Sequence, residues 1–283
     1  MPNIAYPPGR PLSVGEVLDL TFQVYRATLV KCLLPAALAV IAGQLTNVYL
    51  LASGHTLSGG GWQGMLQAFQ AANQDPVYWL VYVCATVLAV ILHAVVLLRQ
   101  NAMITGRPVS GEFAQAARRS PALVGLMILM GVSIGACFLP ALLLSPPGRY
   151  GLAVLLLIPA SYVFVLLSCA YTVLLVTGSG PVASYQRSWR LATGSFWRLS
   201  IIYTVVLIVL MVFGALVGAL TAFLAGVFSR GDVALIAATA GVLVVGLTAL
   251  TIPLYTAMAL AVFGDLTARK EGVDLEQRIS APA

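Results

Sequence analysis

Six apolar runs, at roughly 28–52, 77–98, 121–145, 151–177, 199–227 and 233–264, take up more than half of this 283-residue chain. A helix needs about 20 apolar residues to cross the ~30 Å hydrocarbon layer of a bilayer, and each run is that long. In lipid the backbone must satisfy its own N–H and C=O groups, so such runs fold as helices. Charged residues make up only 8% of the chain, against about 25% in soluble domains. So few cannot coat a water-exposed globule. The expectation is an all-α integral membrane protein with six transmembrane helices, forming a single transmembrane domain over 1–283. The segments between the runs are too short for a separate soluble domain.

Proline-led polar segments precede every second run. They open at Arg10-Pro11-Leu12-Ser13, Arg107-Pro108-Val109-Ser110 and Gly180-Pro181-Val182-Ala183-Ser184. They close on Tyr25-Arg26, Arg118-Arg119 and Phe196-Trp197-Arg198. This pattern predicts three tandem units at about 10–98, 107–177 and 181–264, each an interfacial amphipathic helix plus a transmembrane hairpin, with a cytoplasmic tail at 265–283. In the first unit Ser13-Val14-Gly15-Glu16 reads as a capping box. After it Val14, Val17, Leu18, Thr21, Phe22 and Tyr25 share one helical face, while Glu16, Asp19, Gln23 and Arg26 lie mostly on the others. A two-faced helix directly before a span lies in the headgroup plane or packs against the bundle. The second segment, Gly106 to Ser120, has a modest apolar face of Phe113, Ala116 and Ala117. The third is the most aromatic. Rings with a polar edge, and arginines beside them, belong at headgroup level. The candidate interface residues are therefore Phe22, Tyr25, Arg26, Tyr185, Trp189, Arg190, Trp197 and Arg198.

Thirteen of the fifteen basic residues fall on the side that carries both termini, and only Arg149 and Arg230 on the other. Lysine and arginine accumulate in cytoplasmic loops. Both termini are thus expected in the cytoplasm, with the chain in a bacterial inner membrane. The net charge of +6 follows from this bias. It calls for no nucleic-acid partner and draws anionic lipid headgroups to the cytoplasmic face. Met1 to Pro11 has no apolar core and does not read as a cleavable signal peptide, so the first span is expected to serve as an uncleaved signal.

Polar residues inside the spans are few. Gln44 and Asn47 lie three apart in the outer half of span one, and His93 lies about a turn from the inner end of span two. An ionisable group at membrane depth is a functional candidate. The alternatives are an interhelical amide clasp and a neutral imidazole bonded to a carbonyl. Small residues at Gly131 and Gly135, and at Gly214, Gly218, Ala222 and Gly226, would let helices approach closely within the chain or between protomers. Pro35, Pro140, Pro159 and Pro253 should kink their spans, and kinked helices can line a cavity or form a hinge. Cys32, Cys84, Cys137 and Cys169 fall on four different spans, as packing residues do. The outer loop, Ser53 to Pro76, has His55 and Asp75 as its titratable residues, and its Trp62–Ala72 stretch could form a surface helix. A metal site needs more ligands than this. No catalytic group, metal or cofactor is expected.

Three segments carry a family likeness. Arg10-Pro-Leu-Ser-Val-Gly-Glu-Val-Leu-Asp19 with Tyr25-Arg26, then Gln186-Arg-Ser-Trp-Arg-Leu-Ala-Thr-Gly-Ser-Phe-Trp-Arg198, then Asp265-Leu-Thr-Ala-Arg-Lys-Glu-Gly-Val-Asp-Leu-Glu276 resemble motifs of the glycerophosphoryl diester phosphodiesterase membrane-domain family. Where that family usually has an aromatic pair before the aspartate, this chain has Phe263-Gly264. The resemblance implies a six-helix membrane protein. It implies no phosphodiesterase activity, because the catalytic barrel that gives the family its name has no counterpart in this sequence.

Two roles suit these features. One is a non-catalytic scaffold or accessory subunit that engages lipids, a membrane-protein partner or further copies of itself through its cytoplasmic face. The other is a transporter or lipid-handling permease for a hydrophobic or lipid-like substrate. The charged Pro-x-Asp/Glu-x-x-Lys/Arg pattern of mitochondrial carriers is missing after Pro35 and Pro140. A closed apolar bundle would favour the scaffold, and a cavity entering the bundle would favour transport.

Overall fold

The protein is described from a computed structural model, which covers residues 6–53, 74–142, 146–228 and 233–272. All regular structure among these residues is helical: α1 (Val14–Ala52), α2 (Pro76–Ile104), α3 (Glu112–Ala136), α4 (Leu139–Leu142), α5 (Pro146–Leu167), α6 (Ala170–Thr177), α7 (Pro181–Ala192), α8 (Phe196–Phe228) and α9 (Val233–Lys270). Six segments are long and apolar enough to cross a membrane: those in α1, α2, α3, α8 and α9, and the stretch Gly151–Thr177 that joins α5 to α6. The stretch Trp62–Ala72, with His55, lies outside the described residues.

The capping box starts α1 as expected. The Glu16 N–H donates to Ser13 Oγ at 3.3 Å, and the Ser13 N–H donates to Glu16 Oε2 at 2.7 Å. Arg10 pairs with the same glutamate at 2.5 Å. Asp75 caps α2 by accepting from the Val77 N–H at 2.9 Å, with Pro76 in the first turn. That proline has no N–H to leave unpaired.

The interfacial segments differ from the expected repeat. The first is no separate helix, since α1 runs unbroken for 39 residues from headgroup segment to span. No glycine or proline stands between Tyr25 and Pro35 to stop it. The second likewise merges into α3, which passes through Pro121. Only the third stands alone, as the 12-residue α7. It is cut from α8 at Thr193-Gly194-Ser195, where Gly194 has φ +82°, a conformation that glycine takes without a Cβ penalty. The tandem units are therefore not reproduced at the level of helix boundaries. The expected tail also begins later, because α9 continues through Lys270.

α1 packs against both α2 and α9, and α9 in turn packs against α8. α7 touches α3, α5, α6 and α9. The main buried core gathers near the terminus-bearing end, with Val17 and Val24 of α1, Leu97 of α2, Leu123 and Leu126 of α3, Leu174 of α6, Ile202 of α8 and Leu260 of α9. A second cluster joins Cys32, Ala36 and Ala39 of α1 to Val96 of α2 and Ala249 of α9. Small side chains on α1 let both neighbours come close. Outward faces carry large apolar residues such as Val30, Leu34, Ile158, Met211 and Phe223, all mostly exposed. Such a surface suits lipid as its solvent.

The expected small-residue crossings are not made within the chain. A Cβ added at Gly131, Gly135, Gly214 or Gly218 would meet no atom of another element within 4 Å, and Ala222 is exposed. The surroundings of Gly226 lie outside the described residues. On α8 the ridge faces away from the bundle because the opposite side, with Leu199, Ile202 and Val206, is the buried one.

Candidate functional site

Helices α1, α2, α3 and α9, with the α5–α6 junction, enclose a cavity of about 680 Å³. It follows α2 from Tyr78 to Leu97, about 28 Å at 1.5 Å rise per residue. The space exists because Gly43, Ala85, Ala89 and Ala259 stand where larger side chains would fill it. Leu50, Val90, Met127 and Met130 supply apolar wall, and Tyr78, Tyr82, Tyr171 and Tyr255 supply aromatic wall. Asn47 and Tyr82 are exposed, so the cavity opens outward at its rim.

Two of the three polar candidates line this cavity: Asn47 and His93. Gln44 does not, but it accepts a hydrogen bond from Asn47 Nδ2 at 2.7 Å. The amide pair is thus a clasp within α1 and not between helices, because a three-residue step puts both side chains on one face. The His93 ring meets Tyr171 edge-on at 6.4 Å between centroids, and the Tyr171 hydroxyl donates to the Val90 carbonyl at 3.3 Å. Thr46, Thr86, Ser168, Thr172 and Thr256 add hydroxyls to the lining. Ser168 and Thr256 donate to the carbonyls of Val165 and Ile252. The Thr172 hydroxyl is fully buried and has no protein partner. Among the described residues no Asp, Glu, Lys or Arg lines the cavity.

A charged node closes the terminus-bearing end. Asp265 is 1% exposed. Its Oδ1 accepts the Leu12 N–H at 2.8 Å, and its Oδ2 accepts Arg198 Nη1 at 2.5 Å. Arg269, one turn along α9, donates from Nε to the same carboxylate at 3.1 Å. Both guanidiniums also donate to the Leu12 carbonyl. One carboxylate, two arginines and the backbone N–H and C=O of Leu12 thereby satisfy one another, as a buried charge requires. The chain ahead of α1 is further held where the Tyr6 hydroxyl donates to the Leu260 carbonyl at 3.2 Å. A Cβ at Gly264 would come within 2.9 Å of Tyr6 and 3.0 Å of Pro8. The lack of a side chain at Gly264 is what lets the arm cross α9.

Arg198 therefore corrects its expected place among the headgroups: it points inward because Asp265 needs a countercharge. Tyr25 and Tyr185 are half-buried, and Tyr185 donates to Ser133 Oγ at 3.0 Å. Trp197, at 78% exposed, and Phe22, Arg26, Trp189 and Arg190 face outward. Other basic residues also serve backbone carbonyls: Arg119 donates to that of Leu175 near the end of α6, and Arg99 to that of Lys31, which Pro35 four residues on cannot pair. Sequence reasoning missed Gln100, whose amide nitrogen ties Thr28 of α1 to the Pro253 carbonyl of α9 at 3.0 and 2.9 Å. It sits among loop-like polar residues, Arg99-Gln100-Asn101, which concealed its burial. Thr172 was missed as well, since a lone hydroxyl in an apolar run carries no signal. Among the described residues no three His, Cys, Asp or Glu side chains converge as metal ligands.

Comparison with protein-family models, with curated proteins and with solved structures gave no match.

Proposed function

We propose that this chain holds a hydrophobic or lipid-like molecule in its intramembrane cavity, as a transporter or lipid-handling permease. The cavity itself supports this reading over a plain scaffold. Its volume of about 680 Å³ falls in the range of ~300–1,000 Å³ typical of small-molecule sites, and apolar walls with a few polar groups suit an amphiphile. Its length along α2 is close to the thickness of the hydrocarbon layer. The node at the other end is a lock on the fold, placed on the face that the basic residues mark as cytoplasmic. There the exposed Arg26 and Arg190 would meet anionic headgroups.

The test is photolabelling of the reconstituted protein with a diazirine-bearing acyl lipid, followed by peptide mapping. Labels should fall on residues of the cavity wall such as Tyr82 and Tyr255. Gly43→Trp should fill the space and abolish that labelling, with an unchanged melting temperature as the control for the fold; a Cβ there meets nothing within 4 Å. Labelling confined to the outer surface and indifferent to Gly43→Trp would reject the cavity as a site.

A second reading, assembly with a partner or another copy, draws on the uncovered Gly214, Gly218 and Ala222 face of α8. A single monomeric species in several mild detergents and in nanodiscs would exclude the homo-oligomer.

A further inference from the structure

We infer that the cavity selects an uncharged amphiphile whose head bears hydroxyl or carbonyl groups, of the diacylglycerol or long-chain alcohol kind, over a phospholipid or fatty-acid anion. This rests on the lipid-binding reading above. An anionic head brought into a low-dielectric site needs a countercharge, and among the described residues no lysine or arginine lines the cavity. Nearby arginines are already engaged: Arg99 with the Lys31 carbonyl and Glu112, Arg119 with the carbonyls that end α6, and Arg198 with Asp265. A cationic head fares no better, because no carboxylate lines the cavity either.

What the lining does offer is neutral hydrogen bonding. Thr46, Asn47 and Thr86 stand along the outer part of α1 and α2, and His93, Thr172 and Thr256 lie deeper on α2, α6 and α9. Hydroxyls both donate and accept, so they match a head made of hydroxyls and ester carbonyls. Thr172 is the sharpest pointer. Its hydroxyl is fully buried and unpartnered, and such a group costs stability until something completes it. A ligand hydroxyl or carbonyl in the cavity does so, while the acyl chains lie along the tyrosine and methionine walls.

The experiment is competition against a photoreactive diacylglycerol on the reconstituted full chain. The competitors are unlabelled diacylglycerol, a long-chain alcohol and phosphatidic acid, the first and last with identical acyl chains. Diacylglycerol should compete at least tenfold better than phosphatidic acid. Thr172→Val, which keeps shape and removes the hydroxyl, should weaken labelling five- to tenfold while the melting temperature of the free protein holds or rises. Equal competition by phosphatidic acid, or wild-type labelling of Thr172→Val, would overturn the headgroup inference and leave the cavity reading standing. Labelling that no competitor reduces and Gly43→Trp does not touch would overturn both.

Discussion

Arg198 and Asp265, 67 residues apart, meet at 2.5 Å beneath the peptide of Leu12. The two lie at the start of α8 and near the end of α9, and Leu12 lies ahead of α1. Segments dispersed along the chain thus converge on a single buried carboxylate. The bond is one of position: it fixes the arm ahead of α1 to the starts and ends of α8 and α9.

Breaking this pair should be costly. Removing one partner of a buried ion pair typically costs about 3–5 kcal/mol. Arg269 still reaches the carboxylate, so Arg198→Met should fall near the low end, about 3 kcal/mol. Asp265→Asn should lose a similar amount. Neighbours in one network are not additive, so the double variant should lose less than the sum. Reversible unfolding in mixed micelles would measure it, and additive losses would deny the coupling.

Gly264→Ala should displace the arm. The new Cβ would lie 2.9 Å from Tyr6 and 3.0 Å from Pro8, and overpacking of this kind costs about 1–3 kcal/mol. Chymotrypsin should then cut after Leu12 faster than in the parent protein. Tyr6→Ala in the same chain should recover part of the loss. An unchanged cleavage rate would show that the arm is not seated on α9.

Gly218→Leu should behave in the opposite way. Nothing lies within 4 Å of its Cβ position, and a glycine inside a helix is disfavoured by about 1 kcal/mol relative to alanine. The monomer should therefore keep or slightly raise its melting temperature. A marked fall, or a shift in oligomer profile, would reveal a contact between protomers on this face.

Cysteine substituted at Ser13 and at a site within 56–74 should label from opposite sides of the membrane, with Ser13 protected in intact cells. The Leu12–Asp265 contact already puts the segment ahead of α1 and the end of α9 at the same end of the bundle. Labelling of both sites from one side would refute the span count, and exposure of Ser13 to the outside would invert the orientation.

The spans could be read from the chain because hydrocarbon thickness dictates length, and length needs no partner. The capping box could be read because Ser13 and Glu16 are three residues apart. Arg198 shows where this stops. Its charge was evident and its neighbourhood of tryptophans suggested headgroups, but the carboxylate that turns it inward lies in another span. The three proline-led segments look alike as patterns. Whether each becomes a separate helix turned on one local break, Gly194, which the other two lack. The cavity depends on Gly43, Ala85 and Ala259, on three different helices, facing one space, and relative register between helices leaves no mark in any one of them.

The seat that holds Leu12 is made of Arg198, Asp265 and Arg269, which leave the ribosome long after Leu12 itself. Synthesis runs from the N-terminus, so the arm is the first piece made and the last to find its place. While the later spans are being inserted, α1 can pair with α2 but nothing secures its leading end. Completion of the bundle therefore coincides with arrival of the final helix. A nascent chain halted ahead of α9 keeps five spans and an untethered arm, and the loose arm is what sets the unfinished product apart from the finished one.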